Sequence, residues 1–91
     1  MSLETLTDRT FEASALRADV PVLIDFGATW CPPCRAMDPH VEALATQYAG
    51  RVRVGTLDIE ANPDAAIRCN VRSAPTFVML RNGVEVERIV G

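Results

Sequence analysis

Ninety-one residues, 48% apolar and 23% charged with a net charge of −3, describe one small soluble domain, residues 1–91, with enough apolar side chains for a core and little margin. All nine cationic residues are Arg and none sit in a run, so the basic face that nucleic-acid binding needs is missing. No stretch approaches the ~20 apolar residues of a membrane span, and Met1–Asp8 lacks the basic-then-apolar pattern of a secretory leader, so a cytoplasmic setting is expected.

The elements are read in chain order as strand, helix, strand, helix, strand, helix, strand and hairpin strand. Residues 8–18 place Phe11, Ala15 and Leu16 at helical spacing, with Thr7 or Asp8 as the N-terminal cap, and Val20-Pro21 breaks that helix. Val22 to Phe26 is a nearly continuous apolar run, as in a central strand covered on both faces. Val22, Ile24 and Phe26 then share one face, and Asp25 shares the other with Leu23, an anomalous place for an acid. From Cys31 to Tyr48 the pattern turns helical, with Met37, Val41, Leu44 and Tyr48 as the apolar stripe. Pro32 and Pro33 suit a first turn, and Pro39 should kink the helix.

Residues 52–59 make the next strand, Asp64 to Cys69 a short helix, and Thr76 to Leu80 a strand apolar on both faces. Asn82-Gly83 signals a type I′ hairpin turn, and residues 84–90 return antiparallel. Strand–helix–strand units imply a partly parallel sheet, so the fold class is α/β with a mixed sheet.

Three cysteines are an odd number and form no evident structural framework. Cys31 and Cys34 make a C-x-x-C, which in a reducing compartment points to redox or metal chemistry. A zinc module drawing on Cys31, Cys34, Cys69 and His40 would have the right donor types. Against it, the C-x-x-C opens a helix with two prolines rather than a Gly-bearing turn.

At Trp30-Cys31-Pro32-Pro33-Cys34-Arg35 the chain resembles the thioredoxin family. The resemblance extends to the strand Val22–Phe26 with its acid Asp25, to Pro39, to Ala74-Pro75-Thr76, to Asn82-Gly83 and to Val90-Gly91. It implies a three-layer sandwich with a central mixed sheet flanked by helices. Four departures stand out. The pair between the cysteines is Pro32-Pro33 instead of Gly-Pro. Gly27 stands where an aromatic is common, and Thr56 where a Lys commonly neighbours the acid. The chain stops at Gly91, where the family continues into a last helix, so that helix is expected to be missing. Thr76 to Leu80 is apolar on both faces, Phe77 and Met79 on one and Val78 and Leu80 on the other, so one face would then be partly bare and would invite a homodimer.

The resemblance implies a thiol–disulfide oxidoreductase that needs no cofactor beyond a redox-active Cys31–Cys34 disulfide. A thiolate at a helix N-terminus is stabilised there, so Cys31 is the expected nucleophile and Cys34, one turn on, the resolving thiol. Asp25, its pKa raised by burial, is the expected proton acceptor for Cys34. The expected substrate-binding residues are Trp30, Pro33, Ala74, Pro75 (in the cis form) and Gly91. The expected partners are disulfide-containing proteins and a thioredoxin reductase. The intervening Pro32-Pro33 is expected to make the potential less reducing. The alternatives are a thiol oxidase or isomerase, and a non-catalytic thioredoxin-like interaction domain. Cys69 reads as a small apolar filler and His40 as a solvated residue.

Overall fold

The computed structural model describes residues 3–91. Five strands form one sheet in the order β1 (Leu3–Thr5), β3 (Arg53–Asp58), β2 (Val22–Gly27), β4 (Thr76–Arg81) and β5 (Val84–Val90). β1 and β2 both run parallel to β3, whereas β4 is antiparallel to both β2 and β5. A π-helical segment (Glu12–Leu16), helix α1 (Pro32–Gln47) and helix α2 (Pro63–Arg68) make the connections. The result is the expected mixed sheet with helices on both faces.

Side-chain alternation along β2 sorts the two layers. Val22, Ile24 and Phe26 join Leu57, Val78 and Leu80 in a core closed by Phe11, Ala15 and the α2 alanines Ala65 and Ala66. Complete burial of Ile24 or Phe26 contributes about 1.5–3 kcal/mol each. On the opposite face Val41 and Ala45 of α1 pack on Val54, with Leu3, Leu23, Met37 and Phe77 at the margin. Asp25 lies on this second face, as its alternation requires.

Three sequence expectations are corrected here. Residues 8–18 do not form one regular helix. Thr7 and Thr10 close a turn on each other, Thr7 N–H donating to Thr10 Oγ1 at 3.0 Å, and the helical part is a π turn closed by Arg17 N–H on the Glu12 carbonyl at 2.9 Å. Asp8 does not cap that segment. Its carboxylate accepts from the backbone N–H groups of Asp64 (3.2 Å) and Ala65 (2.8 Å), which are orphan donors at the start of α2. In return Asn62 Oδ1 accepts from Asp8 N–H at 3.0 Å. Finally, Leu44 and Tyr48 are exposed, because the buried line of α1 runs through Cys34, Val41 and Ala45 and these two fall on its flank.

The Asp8 bridge ties the N-terminal turn to a helix of six residues that has little stability of its own. Asp8→Ala should therefore cost about 1–2 kcal/mol in urea unfolding, as for a lost N-terminal cap, and Asp8→Asn clearly less. Equal losses for the two substitutions would contradict the capping role.

The hairpin forms as read, with φ of 53° at Asn82 and 77° at Gly83, both positive as a type I′ turn demands. β4 and β5 keep register except for a bulge beside Met79 and Leu80. α1 lies over β3 and β1, which leaves Phe77 and Met79 half-buried and Ile89, the cross-strand neighbour of Phe77, 61% exposed. Among the described residues no helix is long and apolar enough to cross a membrane.

Candidate active site

The C-x-x-C sits where β2 gives way to α1. After Gly27 the chain turns, Cys31 N–H donating to the Ala28 carbonyl at 3.1 Å, and Cys31 becomes the N-cap of α1 with extended backbone. An N-cap faces the free N–H groups of the first turn. Pro32 and Pro33 supply none, so the Cys34 N–H alone among these three residues is available, and it donates to Cys31 Sγ at 3.2 Å. The i, i+3 spacing brings the Cα atoms of Cys31 and Cys34 to 5.3 Å, within the span of a disulfide, and the two are bonded. Both residues are buried, packed on Ala28, Ile59 and Ala74.

A second segment completes the site. The Ala74–Pro75 peptide is cis, as expected. Thr76 Oγ1 donates to the Ser73 carbonyl at 2.7 Å and Gly91 N–H to the Pro75 carbonyl at 3.1 Å. Ala74 packs against the buried cysteines, and Gly91 is held to Pro75, the residue after Ala74. Trp30 is 62% exposed and Pro33 also lies at the surface, so neither packs into the core.

Asp25 is only 4% exposed, and its Oδ1 has no hydrogen-bond partner. Desolvation, reinforced by the negative charge of Asp38, raises its pKa from 3.8 to about 6. Its strand neighbours are Thr56 on β3 and Phe77 on β4, neither a cation. A carboxylate in this state is a proton acceptor matched to neutral pH.

Cys69 is half-buried against the opposite core layer, where burial raises the pKa of its thiol, and His40 is exposed on α1. The donor set of the zinc alternative is therefore scattered. Among the described residues no three of His, Cys, Asp and Glu converge as a metal site.

Residues 2–91 match the family model described as Thioredoxin. The chain belongs to the thioredoxin family. Thioredoxin 1 of a Nostoc species is 42% identical over 86 residues, which span 94% of this chain and 80% of that one. Thioredoxin C-2 of Corynebacterium nephridii is 41% identical over 85 residues, 93% of this chain and 79% of its own. Thioredoxin of Porphyra purpurea is 36% identical across all of this chain and 85% of its own. With the Cys31–Cys34 disulfide in place, this thioredoxin-family chain is a thiol–disulfide oxidoreductase.

Sequence reasoning missed three thioredoxin-site neighbours. Ile59 packs on the cysteines from the end of β3, and Asp38 and Asp58 flank the approach to Asp25. Only Asp38 carried a signal, since four residues after Cys34 it falls on nearly the same side of the helix.

Proposed function

We propose that this chain reduces disulfides in protein substrates. The observation that carries the reading is the Cys34 N–H directed at Cys31 Sγ, which stabilises a thiolate at Cys31 and makes it both nucleophile and leaving group. The Cys31 thiolate attacks a substrate sulfur; the substrate disulfide breaks, its second sulfur leaves as a thiolate and takes up a proton, and a mixed disulfide forms. Cys34 then passes its proton to Asp25 and attacks Cys31 Sγ, which frees the reduced substrate and closes the disulfide. Trp30, Pro33, Ala74, Pro75 and Gly91 form the surface against which the substrate strand lies. A thioredoxin reductase restores the dithiol, and the cytoplasm is the compartment in which such a donor holds it reduced.

The single N–H at Cys31 Sγ argues against the less reducing potential expected of Pro32-Pro33. With one N–H donor where a non-proline turn would have more, the Cys31 thiolate gains less, and a less stabilised dithiol is the stronger reductant.

The reading is tested by the precipitation of insulin chains in the presence of dithiothreitol. Catalysed precipitation is expected, slowing as pH falls through about 6 and Asp25 ceases to accept protons. A rate no faster than dithiothreitol alone would instead favour a non-catalytic interaction domain. Self-association through the Phe77–Met79–Ile89 face belongs to the same proposal, supported by the exposure of Ile89. Sedimentation velocity should show a dimer that Ile89→Asp dissociates, and a monomer at every concentration would remove that part.

A further inference from the structure

Between α1 and the carboxyl ends of β3 and β2 lies a cleft of about 630 Å³, in the size range of small-molecule sites. It lies behind the disulfide, and Cys34 lines it while Cys31 does not. Gly27 leaves the approach open. A Cβ built there would stand 3.5 Å from Cys34 Sγ and 3.9 Å from Asp25 Oδ1 and would meet nothing closer. There is thus space for one more heavy atom in contact with the sulfur of Cys34 and beside the unpartnered carboxylate oxygen.

The cleft also has a charge. Four carboxylates line it, those of Asp25, Asp38, Glu42 and Asp58, against the single guanidinium of Arg35. That guanidinium is committed to the Thr29 carbonyl, its Nε donating at 3.0 Å. Asp58 is partly committed as well, accepting from the N–H of Glu60 at 2.9 Å. Asp25 lines the cleft, and its Oδ1, 3.9 Å from the Cβ position at Gly27, is buried and unsatisfied, which is the state of an acceptor awaiting a donor.

We propose that small thiols and disulfides bearing an ammonium group exchange directly with Cys34 through this cleft. The inference rests on Cys31–Cys34 being the redox couple and adds a second entrance to it. An aminothiol gives its S–H proton to the Asp25 carboxylate, and its sulfur bonds to Cys34 Sγ. The Cys31–Cys34 bond breaks, and its electron pair leaves on Cys31 Sγ, which the Cys34 N–H receives. One disulfide is consumed and one formed, with the proton on Asp25, so no outside oxidant or reductant enters. Attack on Cys34 is also the favoured regiochemistry, because it expels the better-stabilised thiolate. The ammonium group is held by the carboxylates of Asp38 and its neighbours, and an anionic thiol is repelled by them.

The test approaches the same mixed disulfide from its disulfide side. In a Cys31→Ser, Cys69→Ser chain Cys34 is the sole thiol. Its modification by cystamine, hydroxyethyl disulfide and dithiodiglycolate is followed by intact mass, each rate divided by that on N-acetylcysteine. The corrected rates should fall in that order, cystamine exceeding dithiodiglycolate by about tenfold or more. Asp38→Asn should shrink the ratio severalfold, whereas Asp19→Asn, an acid outside the cleft, should leave it. Gly27→Leu should slow all three reagents. If that variant does not fold, the Asp38 and Asp19 pair decides alone.

A flat order overturns the proposal. So does a ratio that Asp38→Asn leaves intact, which would mean net charge and not the cleft, and so does a folded Gly27→Leu chain with unchanged rates. Insulin reduction by the unsubstituted chain is measured alongside. Its failure would remove the reductase reading while the Cys34 charge order stands or falls by itself.

Discussion

An Asp25→Asn chain is expected to gain about 2 kcal/mol in stability on its parent between pH 4 and pH 8. The carboxyl titrates near its ordinary value of 3.8 when the chain is unfolded and at about 6 when folded. Below 3.8 both states carry the proton and the buried acid costs nothing electrostatic. Between 3.8 and 6 the unfolded chain releases its proton and the folded chain keeps it, so the parent loses stability as pH rises. Above 6 the loss is complete, and Asn, which does not ionise, is spared it. Urea unfolding of both chains at pH 4, 6 and 8 measures the difference, and a gap that does not change with pH would contradict a strained acid at this position. The stability gain should come with slower turnover, since an amide takes no proton from Cys34.

The largest effect on activity is expected at the cysteines, and it is asymmetric. Cys31→Ser removes the nucleophile and should lower insulin reduction by at least about a thousandfold. Cys34→Ser should abolish turnover as completely but leave the first attack intact, so that a mixed disulfide between Cys31 and the substrate accumulates. Mass spectrometry after acid quenching distinguishes the two. A trapped adduct on Cys34 in the Cys31→Ser chain, with none in the other, would reverse the roles assigned here. The structure favours the stated assignment because only Cys31 holds the N-cap position and receives the Cys34 N–H.

What could be read without coordinates followed from local rules. The apolar run of β2, the proline-led start of α1 and the Asn82-Gly83 turn each express a short-range preference, and each forms as read. The burial of Asp25 was also legible, since strand alternation places it with Leu23 beneath a helix. The cis form of Pro75 came from resemblance, because no local preference at Ala74-Pro75 demands it.

The features that escaped depend on groups far apart in sequence. Asp8 looks like the cap of whatever follows it, yet its carboxylate finds a better use at the start of α2, 56 and 57 residues away. Leu44 and Tyr48 fit a helical stripe, but which part of a wide stripe is buried depends on where α1 lies over the sheet. The acid-lined cleft is the clearest case. Gly27 and Thr56 register in the sequence only as departures from a family pattern, and the space beside Cys34 emerges once β2, β3 and α1 are packed.

The measurement closest to the central claim is the reduction potential of the Cys31–Cys34 couple, taken by equilibration in dithiothreitol buffers with alkylation of the freed thiols as readout. A reductase with this site should give a value near about −270 mV. A value between about −180 and −120 mV, where isomerases and oxidases lie, would contradict it, making the chain a donor or shuffler of disulfides and removing both the reductase reading and the compartment assigned with it.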